Sequence, residues 1–351
     1  MMDTAPIRVE ERFDEAVVAK YLRAELPELF GDGEIAFDQF PGGAANLTYR
    51  AVAADGSEFV LRRAPLGEVA KGGHDMRREH RVLSRLWRAY PLAPRAYHYC
   101  NAHEVMGKPF FVMERRTGTV VRRTWPDSLS EPSKQRKVAE SLVDGLADLH
   151  GVDPAAVELD DLGTPEGFVG RQIEGWTGRW EAAATRPVDD MDISSALLMK
   201  SIPEPQRVAI LHNDYKLDNT MIGPDGSLVA VFDWDMSTRG DPLVDAGTLL
   251  AYWAQPGDAT YPVFGDRAVA IGDVMPKSEV RSRYADRTGF DLSGIAFYEA
   301  LALFRIAVII EQIYARYAAG QTTDERFAGF EPIAPSLARA CTELLSEGGH
   351  V

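Results

Sequence analysis

The chain changes texture once, near residue 115. Before that point come short strand-like runs: EIAFDQF, NLTYRAVAA, SEFVLRR, RAYHYC and KPFFVME. Short runs rich in Phe, Tyr, Val and Leu read as strands. The second and third runs flank Ala54-Asp55-Gly56, a hairpin signal. Residues 10–26 carry Phe13, Val17, Leu22 and Leu26 at helical spacing and are closed by Pro27. Residues 74–90 predict an amphipathic helix through Met76, Val82, Leu83, Leu86 and Trp87. Residues 1–115 thus read as a small antiparallel β-sheet with one inserted helix.

A turn-rich stretch at 117–132 follows. Helical spacing then takes over at 133–150, about 167–184, 190–200, 243–254, 293–319 and 333–346. One all-β island interrupts it, VAILHNDYKLDNTMIGPDGSLVAVFDWD. The pattern predicts an α+β chain with a sheet lobe at 1–115 and a larger, mainly helical lobe at 116–351. Its hinge would fall near 114–118, and a cleft between two lobes is a usual place for a ligand.

Composition narrows the partners. Among 351 residues there are two cysteines, Cys100 and Cys341, in no CxxC pattern. That argues against a disulfide framework or zinc ribbon and suits a reducing cytoplasm. The opening MMDTAPIRVEERFDEA lacks the apolar core of a signal peptide. The most apolar segment, AFYEALALFRIAVIIEQIYA, is interrupted by Glu299, Arg305 and Glu311, and reads as a buried helix rather than a membrane span. The net charge is −15, with 16 Lys+Arg against 17 Asp+Glu up to residue 115 and 22 against 36 beyond it. Such acidity weighs against nucleic acid or an anionic membrane as partner; it either favours a cationic or neutral ligand in the second part or simply aids solubility. Nothing in the sequence sets an oligomeric state.

The chemistry concentrates in LHNDYKLDNTMI, residues 211–222. Apolar residues 220–222 and 228–232 flank Gly223-Pro224-Asp225-Gly226-Ser227, a strong turn signal. If they pair, Asn219 enters the hairpin where Asp233 leaves it, and Asp214 lies on the incoming loop. Mg²⁺ prefers a few hard oxygen ligands and keeps room for phosphates, which suits Asn219 and Asp233. Asp214 would then orient an incoming hydroxyl or accept its proton. The spacing His212-x-Asp214-x-x-x-x-Asn219 is that of a kinase catalytic loop. His212 reads as a brace for that loop and Asp218 as a turn residue. Lys216 is either a contact to the transferred phosphate or a solvated lysine.

The sheet lobe offers the complementary parts. FPGGAANLTY supplies Gly42 and Gly43, which let backbone approach phosphates, with Asn46 beside them. FVLRR supplies a cation. Strand alternation turns only one of Arg62 and Arg63 toward the ligand, and the alignment of V-L-R with the kinase strand pattern favours Arg62. Glu79, on the following helix, would hold that cation. The adenine edge would be backbone near Met113-Glu114-Arg115.

Two rivals deserve weight. FDWDMS and GDPLVD imitate the acidic motifs of haloacid-dehalogenase phosphatases, but they lie only a few residues apart, with no room for the core those enzymes place between them. A nucleotide-binding module without turnover is the other rival, and an intact Asp214, Asn219 and Asp233 speak against it.

The stretches PGGAANLTYR, FVLRR, REHRVL, PFFVMER, LHNDYKLDN, VFDWD and GDPLVDAGTLLAYW, in this order, resemble the aminoglycoside phosphotransferase and choline kinase family. The nearest likeness is to the bacterial subgroup related to kinase-like domains found beside acyl-CoA dehydrogenases, and RQIEGW…RW at 171–180 shares it. The resemblance implies a bilobal protein-kinase-like fold, ATP and Mg²⁺ as cofactors, and a small hydroxylated acceptor. It implies Asp214 as catalytic base, Asn219 and Asp233 as metal ligands, and Asp241 and Asp245 as braces. Ala45 stands where relatives often have Ser, and the strand cation is Arg rather than Lys. Two acceptor classes stay open. The acidic second lobe suits an amine such as an aminoglycoside, whereas the subgroup points to a hydroxyacyl or other hydroxylated metabolite. Residues 165–200 and the last helices, with Glu174, Trp176, Trp180 and Glu311, are candidates for the acceptor site.

Overall fold

The computed structural model describes residues 4–41, 46–66, 75–258, 269–322 and 324–347. The chain forms two compact units: one comprises Met1–Thr117 with Ala230–Ser237, the other Gly118–Val229 with Thr238–Val351.

In the first unit, β1 (Ala36–Gln39), β2 (Leu47–Val52), β3 (Glu58–Arg63), β4 (Ala96–Cys100) and β5 (Phe110–Glu114) form one sheet of order β1-β2-β3-β5-β4, antiparallel throughout. Helices α1 (Glu15–Glu25) and α2 (Pro27–Phe30) precede it. Tyr49, Leu61, Phe110 and Val112 turn to one face and pack with Val18, Leu22 and Phe30. Helix α3 (Met76–Leu86) opens with Asp75, whose carboxylate accepts the Arg77 and Arg78 amides. It buries Val82, Leu83 and Leu86. One inserted helix was the expectation, but a second, four-residue turn α4 (His103–Met106) lies between β4 and β5. HEVM is too short to show a period.

Residues 230–237 group with the sheet unit rather than with the helices around them in sequence. The cause is Trp234, fully buried, whose ring meets Tyr90 edge-on at 5.9 Å, while the Val231 amide donates to the Leu92 carbonyl at 2.8 Å.

The second unit is mainly helical. It contains α5 (Pro132–Gly151), α6 (Phe168–Ala183), α7 (Asp189–Lys200), α8 (Leu243–Tyr252), α9 (Lys277–Thr288), α10 (Ile295–Ala318) and α11 (Ile333–Glu347). Helix α10 is the apolar segment of the sequence and is buried along most of its length. No helix among the described residues is long and apolar enough to cross a membrane. Short β6 (Ala209–Leu211) pairs with β9 (Thr238–Gly240), and β7 (Thr220–Ile222) with β8 (Leu228–Val231). The turn between β7 and β8 is closed by Gly223 N–H to Ser227 O at 2.8 Å. Helix α9 was not anticipated: in KSEVRSRYADRT only Val280 and Tyr284 are buried apolar side chains, too few to show a period.

Candidate active site

In the sheet unit, β3 presents Val60 and Arg62 on one face and Leu61 and Arg63 on the other. The Arg62 Nε donates to Glu79 Oε2 at 2.8 Å, and its Nη2 forms an ion pair with Asp233. Burial weakens the Arg62 charge, but Glu79 and Asp233 outweigh it and hold the guanidinium more firmly protonated than usual. Burial likewise pushes the Glu79 carboxyl up, against the pull of Arg62. Arg63 serves the opposite face, donating to the Met106 carbonyl at 2.9 Å, the Glu11 carbonyl at 2.7 Å and the Tyr49 hydroxyl. Its terminal nitrogens tie Glu11 and Met106 to the sheet, while its buried Nε has no partner among the described residues.

Asp233 has φ 69°, the left-handed region that side chains with a Cβ seldom adopt. Trp234 keeps it there: its indole N–H donates to the Val231 carbonyl at 2.8 Å and closes a tight turn after β8. Gly42, Gly43 and Ala45 lie outside the described residues. Asn46 is buried, and among the described residues neither end of its side-chain amide has a hydrogen-bond partner. Such an unmet amide is costly unless a ligand's polar group meets it, which fits a nucleotide. Met113 is buried opposite Val60. The Glu114 amide donates to the Arg95 carbonyl at 2.8 Å, so that donor belongs to the sheet and is lost to the expected adenine edge.

In the helical unit, Asp245, in the first turn of α8 and fully buried, accepts the His212 amide at 2.6 Å and the Asn213 amide at 2.7 Å. The His212 ring is buried and its Nδ1 accepts the Asp214 amide at 3.2 Å. Asp241 accepts the Leu243 amide at 3.0 Å and the Tyr298 hydroxyl. The loop is therefore held mostly through its backbone.

Asp214 sits among cations. Lys216 Nζ lies 2.9 and 2.8 Å from its two oxygens, and Arg305 Nη2 lies 3.7 Å away. Asn219 Nδ2 donates to the Asp214 carbonyl at 2.9 Å and to Oδ2 at 2.8 Å, which leaves the amide oxygen turned to other use. Burial pushes the Asp214 carboxyl up, but Lys216 and Arg305 pull harder, and the net shift is downward. Asp214 is therefore a carboxylate at neutral pH. Asp218 is pushed up by burial. Lys216 is mostly buried, its Nζ 4.9 Å from the centre of the Tyr252 ring.

Arg305 escaped the sequence reading, where it counted only as an interruption in an apolar helix. A lone arginine in so apolar a run was the available signal. Its guanidinium lies 5.7 Å from the Trp176 ring centre, and Arg179 lies 4.5 Å from the same ring. Of the other acceptor candidates, Trp180 is buried and Glu174 is exposed. Glu311 is consumed internally: it accepts the Thr185 amide at 2.9 Å and hydroxyl at 2.6 Å, with Arg186 at 3.3 Å.

No cluster of three His, Cys, Asp or Glu side chains among the described residues suits a metal ion. Mg²⁺ on a nucleotide needs less than that, one or two hard oxygens, and the Asn219 amide in the helical unit and the Asp233 carboxylate in the sheet unit each carry oxygen of that kind.

The fold is protein-kinase-like, with an α+β build. A solved Ralstonia eutropha structure, provisionally described as an aminoglycoside phosphotransferase, is 28% identical with a TM-score of 0.79, covering 96% of this chain and 99% of that one. A Plasmodium vivax ethanolamine kinase shares the fold at 14% identity and a TM-score of 0.60, over 94% and 88% of the two chains. The chain belongs to the phosphotransferase enzyme family, whose model matches residues 37–293. Among curated proteins, it is similar to acyl-CoA dehydrogenase family member 11 of Rattus norvegicus, at 31% identity over 92% of this chain and 42% of that protein. It is also similar to acyl-CoA dehydrogenase family member 10 of Mus musculus, at 28% over 99% and 32%. The chain thus spans less than half the length of these relatives.

Proposed function

We propose that this chain is an ATP-dependent small-molecule kinase that transfers the γ-phosphate to a hydroxyl of a small acceptor. The observation that carries this reading is Asp214: an ionised carboxylate on a loop fixed by buried Asp245, with Asn219 bonded to it. In the proposed step the acceptor oxygen bonds to the γ-phosphorus and its proton passes to Asp214. The bond from that phosphorus to the β-phosphate oxygen breaks, and ADP leaves. Mg²⁺, when bound, would neutralise charge on the phosphates, and Asn219 and Asp233 would hold it. Arg62, braced by Glu79, would neutralise phosphate charge as well. Lys216 would leave Asp214 for the transferred group. Asn46 and the Gly42-Gly43 loop would approach the phosphates, and the backbone at Met113 and beyond would meet the adenine.

The acceptor favoured here is a hydroxyacyl compound or another hydroxylated metabolite rather than an aminoglycoside. Two cations, Lys216 and Arg305, already flank Asp214. A polycationic acceptor would meet like charge at that point. The names of the acyl-CoA dehydrogenase relatives support an acyl-type acceptor. The proposed setting is the cytoplasm, in keeping with two free, buried cysteines.

The test is an acceptor panel of hydroxy acids, their thioesters, aminoglycosides and amino alcohols, read by ADP release with Mg²⁺ present. Phosphorylation of the hydroxyacyl members, abolished by Asp214→Asn, is expected. ATP binding without transfer to any member would favour the non-catalytic module, and preferred transfer to aminoglycosides would overturn the acceptor assignment.

A further inference from the structure

Asp245 fixes the loop, but Asp245 is itself held. His150, buried in the last turn of α5, has Nε2 3.4 Å from Asp245 Oδ2 and Nδ1 2.6 Å from the Tyr284 hydroxyl. Burial keeps the Tyr284 phenol well above its ordinary range, so it remains a donor. When Tyr284 donates to Nδ1, the imidazole proton belongs on Nε2 and faces the carboxylate. The reverse tautomer would aim an unprotonated nitrogen at Asp245.

Tyr284 is placed from outside this core. Its helix, α9, is fastened to α5 along its outer side: Arg136 to Glu279 at 3.0 Å, Arg283 to Asp144 at 2.7 Å and Arg287 to Asp148 at 2.5 Å. These pairs keep α9 alongside α5 and thereby set Tyr284 over His150. The chain of bonds then runs from Tyr284 through His150 and Asp245 to the His212 and Asn213 amides, immediately before Asp214.

We propose that His150 and Tyr284 are positioning residues for the catalytic loop: the Tyr284 hydroxyl fixes the His150 tautomer, and His150 fixes the rotamer of Asp245 that receives the loop amides. Neither residue touches the reacting groups. The proposal rests on the reading of Asp214 as the catalytic base, but its first readout is independent of turnover.

That readout is amide hydrogen exchange by NMR in Tyr284→Phe, with Ser282→Ala, an exposed position on the same helix, as control. Tyr284→Phe removes one hydroxyl and little volume. Exchange at the His212 and Asn213 amides is expected to accelerate about tenfold, the equivalent of one lost buried hydrogen bond, while the rest of α8 and α10 stays protected. Unchanged exchange at those two amides, or equal acceleration across the whole unit, would overturn the proposal. With an active acceptor in hand, kcat should fall about tenfold and KM for ATP should hold within about twofold, since only the loop has shifted. His150→Gln, which retains a donor toward Asp245, should keep more turnover than His150→Leu. Equal loss in both would also overturn it. If only the kinase reading is wrong, the exchange result stands while no acceptor is phosphorylated.

Discussion

The two units restrain their charged groups by different means. In the sheet unit, buried Glu79 grips a side chain, Arg62, which also reaches Asp233. In the helical unit, buried Asp245 grips backbone, the amides of His212 and Asn213. Side-chain torsions have several staggered wells, so a side-chain pair is able to exchange partners. A backbone anchor does not exchange; it fixes the path of the chain. The first arrangement suits a group that must follow a nucleotide, the second a group that must hold one orientation while bonds change.

The largest expected effect is that of Asp214→Asn. It removes the proton acceptor and leaves both anchors intact, so turnover should fall by about 10²–10⁴. ATP affinity measured by calorimetry should be unchanged. Next come the anchors themselves. Arg62→Gln leaves Glu79 buried without its cation and should cost about 3 kcal/mol of stability in urea unfolding. The same variant should weaken ATP binding. Asp245→Asn should lower kcat and spare ATP affinity. If both variants changed the same parameter, the contrast between the two anchors would collapse.

A subtler effect is expected from Arg305→Gln. Losing a cation near Asp214 raises its pKa, so activity should fail at a higher pH on acidification than in the unmodified protein. An unmoved acid limb would mean that Arg305 does not act on Asp214. The smallest effect concerns His80. Burial lowers its pKa to about 4 from an ordinary 6.5, and its Nε2 has no partner among the described residues. The unfolded chain therefore takes up this proton first. The contribution is present above pH 6.5 and lost as pH falls toward 4, by about 1–3 kcal/mol. His80→Phe should flatten that part of the pH–stability curve, measured by urea unfolding at several pH values.

Much of this was legible in the sequence because its signals are local. Short strand-like runs marked β1 to β5, and Gly-Pro-Asp-Gly-Ser marked the turn between β7 and β8. The spacing from His212 to Asn219 marked the loop. What escaped depends on distant neighbours. Helix α9 buries only Val280 and Tyr284 as apolar side chains and pairs its charges with α5, so its own sequence shows no apolar period. Arg305 acquires meaning only when α10 brings it to Asp214, more than ninety residues away in sequence. Strand β9 is three residues long, and its pairing with β6 supplies its definition. The partner of Glu311 lies in the Thr185-Arg186 segment, which no pattern in the sequence announces.

One packing detail carries a consequence for reading variation in this chain. Gly247 lies on α8, two residues beyond Asp245, where an added Cβ would come within 2.3 Å of the Tyr298 backbone. Even alanine there must push α8 off α10. The anchor rides on α8, so the displacement would reach the loop although no polar group has changed. A mutational scan scored by activity would therefore mark a glycine with no chemistry of its own as though it belonged among the reacting residues.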